Sequence, residues 1–349
     1  MPVHRGAPDA PAARLGPALD LMSVTRELDD TCMAREAVLP LPALTTPSAS
    51  WRRARVARVC RYALGAGYGL YFVQSYRQRG FPFDRERVML WIVGALVIAS
   101  IGRGWRWALR VALDWVPFGL LLYVYDLSYG FAQRVGRPVR VAPLVRADKF
   151  LFAGHVPTVW IQQHIPHAGG VGWWEVGVSI VYASHFVLPL ATAGVLWWRS
   201  RRLWRQWVTR LLTISFAAVV IYVVAPTGAP WYAAYEGIIP ELDRPVGRGW
   251  AKIGLLAAPA LLQRGREFVN PYAALPSLHA AYSFLFALFV YQLIGRGRWR
   301  LLVFAYPAAM AFVLLYGGEH FVVDILAGWG LTLASSWLCG RAGRWWAAR

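Results

Sequence analysis

The sequence predicts an all-α integral membrane protein, a polytopic bundle of about eight transmembrane helices. Three observations carry that expectation. Of the 349 residues, 57% are apolar and only 16% charged, too little charge to cover a soluble domain of this length. Apolar runs such as VMLWIVGALVIASIG and LLVFAYPAAMAFVLLYGG approach, with their flanks, the ~20 residues that cross a bilayer. The arginines gather in short stretches between such runs, as at the cytoplasmic ends of membrane helices.

Taken in order, residues 1–50 are rich in Ala and Pro without lasting periodicity and are expected to form a disordered cytoplasmic tail. No apolar core follows Met1 closely enough for a cleavable signal peptide. Residues 51–349 form the membrane domain, with WRRARVARVCR as its basic threshold. Spans are expected at about 57–76, 86–102, 106–128, 173–198, 204–226, 274–294, 299–317 and 320–340. The short basic stretches GRGWRW, WWRSRRLWR, GRGRWR and GRAGRWWAAR all fall on one side of that arrangement. Placing them inside puts both termini in the cytoplasm. The first loop, YRQRGFPFDRER, runs against the rule, with arginines on the outer side.

Two long segments, 129–172 and 227–273, then lie outside. APTGAPWYAAYEG and AKIGLLAAPALLQRG within the second are too apolar and aromatic for open linkers, and read as segments lying in the membrane interface. The formal charge of +19 belongs to the loop arginines meeting anionic lipid; a nucleic-acid partner is not expected. Cys32, Cys60 and Cys339 show neither disulfide nor metal spacing.

The chemistry-bearing residues lie in two of the last three spans. NPYAALPSLHAAYS opens the sixth with His279, and an imidazole beside a membrane span is costly without partners or a task. Pro276 suits a helix start, and free amides there attract anions. A phosphate at that point would receive the Ser277 hydroxyl and a proton from His279. GGEHFVVDILAGW opens the eighth span. Its His320 and Asp324 stand four residues apart, one helical turn on one face. Such an aspartate fixes the histidine tautomer and raises the basicity of the other ring nitrogen. Two histidines and an aspartate are therefore expected to meet at the outer ends of these two spans.

PSLHA followed by HFVVD resembles the second and third signatures of the type-2 phosphatidic acid phosphatase superfamily. The pair is closer to its inositol phosphorylceramide synthase branch, as are YASHF and APTGAPW. The resemblance covers about residues 85–340, with the catalytic core at about 105–340. It implies a two-step transfer in which His320 forms a phosphohistidine, Asp324 holds it, and His279 protonates the leaving oxygen before deprotonating the acceptor. It implies no cofactor and no metal, and no carboxylate cluster suited to magnesium or zinc lies near these residues.

Two features depart from the phosphatase pattern. Val313 and Leu314 stand where a Ser-Arg pair precedes the nucleophile. Arg137-Pro138 keep half of the first signature, with Gly130 at its lysine position. Both changes remove cations. A phosphomonoester carries about two negative charges at neutral pH and a diester about one, so fewer cations favour a diester donor. Of the remaining outer cations Arg137, Arg140, Arg146, Lys149 and Arg248, Arg137 and Lys149 are the candidate phosphate ligands beside Ser277.

His155, His164 and His167 read as headgroup contacts rather than a metal site. His185 reads equally as a site residue or as a bond to a neighbouring helix. Asp114 reads as an ion pair with Arg110, and Asp126 as a possible partner for a phosphate-binding arginine. The expected function is a membrane phosphotransferase at the extracytoplasmic face of the cell membrane. It would move a phosphorylated head group from a phospholipid donor to a lipid alcohol acceptor. A lipid or polyprenyl phosphate phosphatase is the alternative enzyme, and a non-catalytic lipid-binding or lipid-moving protein the alternative of another class.

Overall fold

A computed structural model describes residues 50–79, 85–129, 135–165, 170–254, 273–295 and 297–347. The expected tail at 1–49, Gly130, His167 and most of AKIGLLAAPALLQRG lie outside the described residues. Among the described residues, seven helices have 16 or more residues: α1 (Ser50–Arg79), α2 (Arg85–Ser100), α3 (Trp105–Tyr129), and, further on, α6 (Trp173–Arg199), α7 (Arg201–Val224), α10 (Leu278–Leu293) and α12 (Val322–Ala347). The shorter α11 (Ala305–Tyr316) continues a 3-10 turn at Arg298–Phe304. Between them lie four short helices, α4 (Ala142–Leu151), α5 (Pro157–His164), α8 (Pro230–Tyr235) and α9 (Gly249–Lys252).

Among the described residues, five helical stretches are long and apolar enough to cross a membrane: Trp105–Ser128, Trp173–Arg199, Arg201–Val224, Arg298–Tyr316 and Val322–Ala342. Arg87–Ser100 and Leu278–Leu293 are apolar but shorter. The protein is thus a multi-pass helical membrane protein. α10 begins later than the sequence suggests, because Pro276 precedes the cap instead of entering the first turn. Ser277 is the N-cap and accepts the Ala280 amide at 3.2 Å.

α6, α7, α10 and α12 pack on one another, with α2 and α3 against α6 and α7, and α11 between α6 and α10. Trp115, Trp207, Leu211, Ile214, Tyr222 and Leu285 fill the larger core, all at most 2% exposed, and the close packing of these side chains, rather than escape from water, holds helices together in lipid. A second core joins α6, α10, α11 and α12 through Tyr182, Met310, Leu314 and Ile325. At one end of the bundle, the short helices close over Phe321, which packs with Val141, Leu144, Val145, Ala233 and Ile239. That end is stapled by Thr227, which pairs with both Arg140 and Ala273 in isolated bridges. Its hydroxyl also accepts the Leu275 amide at 2.9 Å.

Exposed aromatics ring the same end, including Phe150, Trp160, Trp173 and Tyr235, as expected of side chains at a lipid–water boundary. At the opposite end Arg103, Arg110 and Arg201 gather with Trp107, Trp197 and Trp198. There the carboxylate of Asp114 is taken by Arg201 and by the Trp197 indole at 2.7 Å, where the sequence suggested Arg110. The tie joins α3 to the α6–α7 corner.

Candidate active site

His279 and His320 come from different helices and approach to 5.7 Å between ring centroids at the capped end of the bundle. α10 presents His279 in its first turn, and the turn between α11 and α12 presents His320. That turn is made possible by Gly318, whose φ of +66° is a conformation that L side chains rarely adopt. Immediately after it, Phe321 is fully buried and anchors the chain. His320 itself is 7% exposed and Asp324 is fully buried.

The Nδ1 of His320 lies 3.4 Å from Oδ2 of Asp324. This is ion-pair range, slightly beyond an ordinary hydrogen bond. The same Oδ2 accepts the Phe321 amide at 2.9 Å. With Nδ1 turned towards the carboxylate, Nε2 is the ring nitrogen that points away from Asp324. Behind His279 the site is built of stacked rings. His185 of α6 lies 3.8 Å from His279, and Tyr182 stacks on its ring at 5.1 Å. The structure therefore gathers His185, left open in the sequence, with His279 and His320.

The close approach of α10 and α12 rests on Gly328. A methyl group there would collide with the Ser277 carbonyl, so glycine lets α12 lie against the start of α10. The Ser277 amide consequently donates to the Asp324 carbonyl at 2.9 Å. It is not one of the free amides the sequence suggested for an anion. The Ser277 side chain is buried as a helix cap, and the hydroxyl hydrogen remains a donor.

The cations lie elsewhere on this end. Arg137 is exposed and donates to the Val224 carbonyl at 2.7 Å. Lys149 is also exposed and lines a cavity of about 250 Å³ with His155, Val159, Trp160, Gln163 and Ile238. Arg244, overlooked in the sequence, forks onto Glu319 with contacts of 2.8–3.2 Å and lies over the Trp231 ring. Its carboxylate partner is the residue before His320. Arg248 approaches buried Glu175 at 3.7 Å, and Tyr316 donates to the same carboxylate. Val313 and Leu314 are core residues, 2% and 0% exposed. Both pack in the apolar core that joins α6, α11 and α12, so neither position supplies a cation to the site.

His155 faces the Lys149 cavity, and His164 stacks on Trp160 at 4.2 Å. Among the described residues, no three His, Cys, Asp or Glu side chains are grouped to hold a metal.

Residues 143–338, more than half of the chain, match the model of the PAP2 superfamily. The chain belongs to that superfamily. The match spans α4 to α12 and so contains both histidines and Asp324. Among curated proteins, phosphoinositol dihydroceramide synthase of Bacteroides thetaiotaomicron is 26% identical over 231 residues, 63% of this chain and 73% of that protein. Inositol phosphorylceramide synthase catalytic subunit aur1 of Schizosaccharomyces pombe is 27% identical over 211 residues, 58% of this chain but only 47% of its own length. No solved structure matches the chain significantly. Family and relatives together make this a PAP2 enzyme of the lipid phosphotransferase or phosphatase kind, as the paired motifs imply.

Proposed function

We propose that this PAP2 protein transfers a phosphorylated head group, such as inositol phosphate, from a phospholipid to a lipid alcohol through phosphohistidine at His320. The observation that carries this reading is the pair of imidazoles 5.7 Å apart, one of them braced by Asp324. That separation allows one tetrahedral phosphoryl group to contact both rings.

In the first step, the Nε2 lone pair of His320 attacks phosphorus. The bond from phosphorus to the diacylglycerol oxygen breaks, and His279 gives that oxygen its proton. In the second step, neutral His279 takes the proton of the acceptor hydroxyl. The acceptor oxygen attacks phosphorus, the phosphorus–nitrogen bond breaks, and His320 is regenerated. Asp324 stabilises the cationic ring as the first bond forms. No step draws on a cofactor.

Ser277 is proposed to donate its hydroxyl hydrogen to the phosphate, with Arg137 and Lys149 raising the positive potential of the outer face. A diester donor suits this cation supply, because apolar Val313 and Leu314 replace the pair that would neutralise a second phosphate charge. The relatives' names, phosphoinositol dihydroceramide synthase and inositol phosphorylceramide synthase, support an inositol-bearing donor and a sphingoid alcohol as acceptor. An eight-span arrangement with both termini cytoplasmic would put the site at the extracytoplasmic leaflet of the cell membrane.

The test uses the full chain purified in detergent, given radiolabelled phosphatidylinositol with and without ceramide. A labelled phospholipid product formed only with ceramide supports the transferase. Release of inositol phosphate or phosphate at an equal rate without acceptor identifies a phosphatase instead. No turnover of any lipid phosphate returns the protein to a lipid-binding role.

A further inference from the structure

We infer that Asp148 is a positioning residue of this active site, holding the start of α12 so that the Asp324 carboxylate is free to face His320. The inference deepens the phosphohistidine reading and rests on it.

The segment after His320 contains three consecutive amides that an α-helix start leaves without helical partners. All three are satisfied by carboxylates. Phe321 donates to Asp324 Oδ2 at 2.9 Å, Val322 to Asp148 Oδ2 at 3.0 Å and Val323 to Asp148 Oδ1 at 3.2 Å. Asp148 comes from α4, a separate short helix, and is fully buried. It reaches across to bind two adjacent amides with its two oxygens. α12 is thus capped from outside its own sequence.

The division between the two carboxylates matters for the chemistry. A helix start with free amides recruits the nearest acidic side chain as its cap, and its positive end strengthens that attraction. Without Asp148, the acidic side chain already capping this turn is Asp324, which holds the adjoining Phe321 amide. Turning towards those amides would carry Asp324 away from His320 Nδ1, already 3.4 Å distant. Asp148 removes that competition. It also fixes Phe321, and hence the backbone that carries the His320 ring.

A second feature agrees with this placement. Burial pushes the Asp148 carboxyl up to about 6, with the charge of Asp324 adding to the rise and the two amide bonds opposing it. A buried acid kept in this position by two helix amides belongs to the framework of the site.

The experiment compares the full-length wild type with Asp148→Ala and Asp148→Asn in detergent. It measures kcat and KM for labelled phosphatidylinositol, together with hydrogen exchange of the peptide 317–326. Asp148→Ala is expected to lower kcat about 100-fold, with KM within about 3-fold, and to speed exchange at Phe321–Val323. Asp148→Asn keeps a side-chain acceptor for one of the two amides and is expected to recover about 10-fold of the loss, short of wild-type kcat. If Asp148→Ala does not fold, Asp148→Asn decides alone, with reduced kcat and unchanged KM expected. Wild-type kcat in either folded variant, a loss confined to KM, or no recovery by the folded Asn variant overturns the inference. If the wild type itself transfers nothing, the proposed function fails. Exchange then judges the clamp, and protection unchanged in the folded variants overturns it.

Discussion

The amide of Ser277 donates to the main-chain carbonyl of Asp324 at 2.9 Å, so the residue that caps the His279 helix is bonded directly to the residue that braces His320. The two motifs are joined through backbone as well as through side chains. Gly328 permits this contact, since a side chain there would run into the Ser277 carbonyl.

Gly328→Ala should therefore separate the two imidazoles while leaving both in place. We expect kcat to fall by about 10²-fold, the scale of an ångström-sized misplacement of catalytic groups. Head-group transfer assayed beside detergent gel filtration checks this, since the protein should remain folded. Full activity in the variant would show that the close approach is not needed.

Arg244 and Glu319 form a largely enclosed pair, their side chains 19% and 6% exposed. Removing one member leaves the other charge buried, a loss of about 3 kcal/mol or more. Arg244→Met should lower the melting temperature by several degrees, and the double variant Arg244→Met/Glu319→Gln should regain most of it. Thermal unfolding in detergent reads both. Equal destabilisation of single and double variants would place the stabilising effect in the cation–π contact of Arg244 with Trp231.

Acid stability follows from Asp148. Its carboxyl titrates at about 6 in the folded protein because burial outweighs the Val322 and Val323 amides and Asp324 adds repulsion, whereas an unfolded aspartate titrates near ~4. Between those values the folded state holds a proton the unfolded chain has lost. This contribution is thus fully present below about pH 4 and declines as pH rises through about 6. Asp148→Asn should cost more in melting temperature at pH 4.5 than at pH 7.5. A cost that grows towards pH 7.5 would contradict the assignment.

The four-residue separation of His320 and Asp324 is legible in the sequence and does bring the two side chains to 3.4 Å, but as a turn residue and a first-turn residue, since α12 starts only at Val322. Pairing the two motifs brought in His279. The helical membrane class was equally plain from composition and from the runs between arginine-rich loops. What remained hidden depends on contacts between distant segments. Asp148 in RADKFL looks like the polar side of a short interfacial helix, and nothing local says that it turns inward onto Val322. Arg244 lies in a Pro- and Gly-rich stretch, and its bond to Glu319 reaches across the sequence of α9, α10 and α11. Asp114 found Arg201 because α3 packs on the α6–α7 corner, a tertiary fact that overrode the nearer Arg110. His185 could be marked as unusual from its place inside a span, but the stack on His279 needed the helices to be set side by side.

The most direct measurement concerns the His320 ring itself. Wild type mixed with phosphate-labelled phosphatidylinositol and no acceptor, then quenched in alkali within the first turnover, should carry acid-labile label on the peptide containing His320. The label should be absent in His320→Ala and should disappear from wild type when ceramide is added before the quench. Product formation without label on that peptide, or label retained in His320→Ala, would contradict transfer through this histidine.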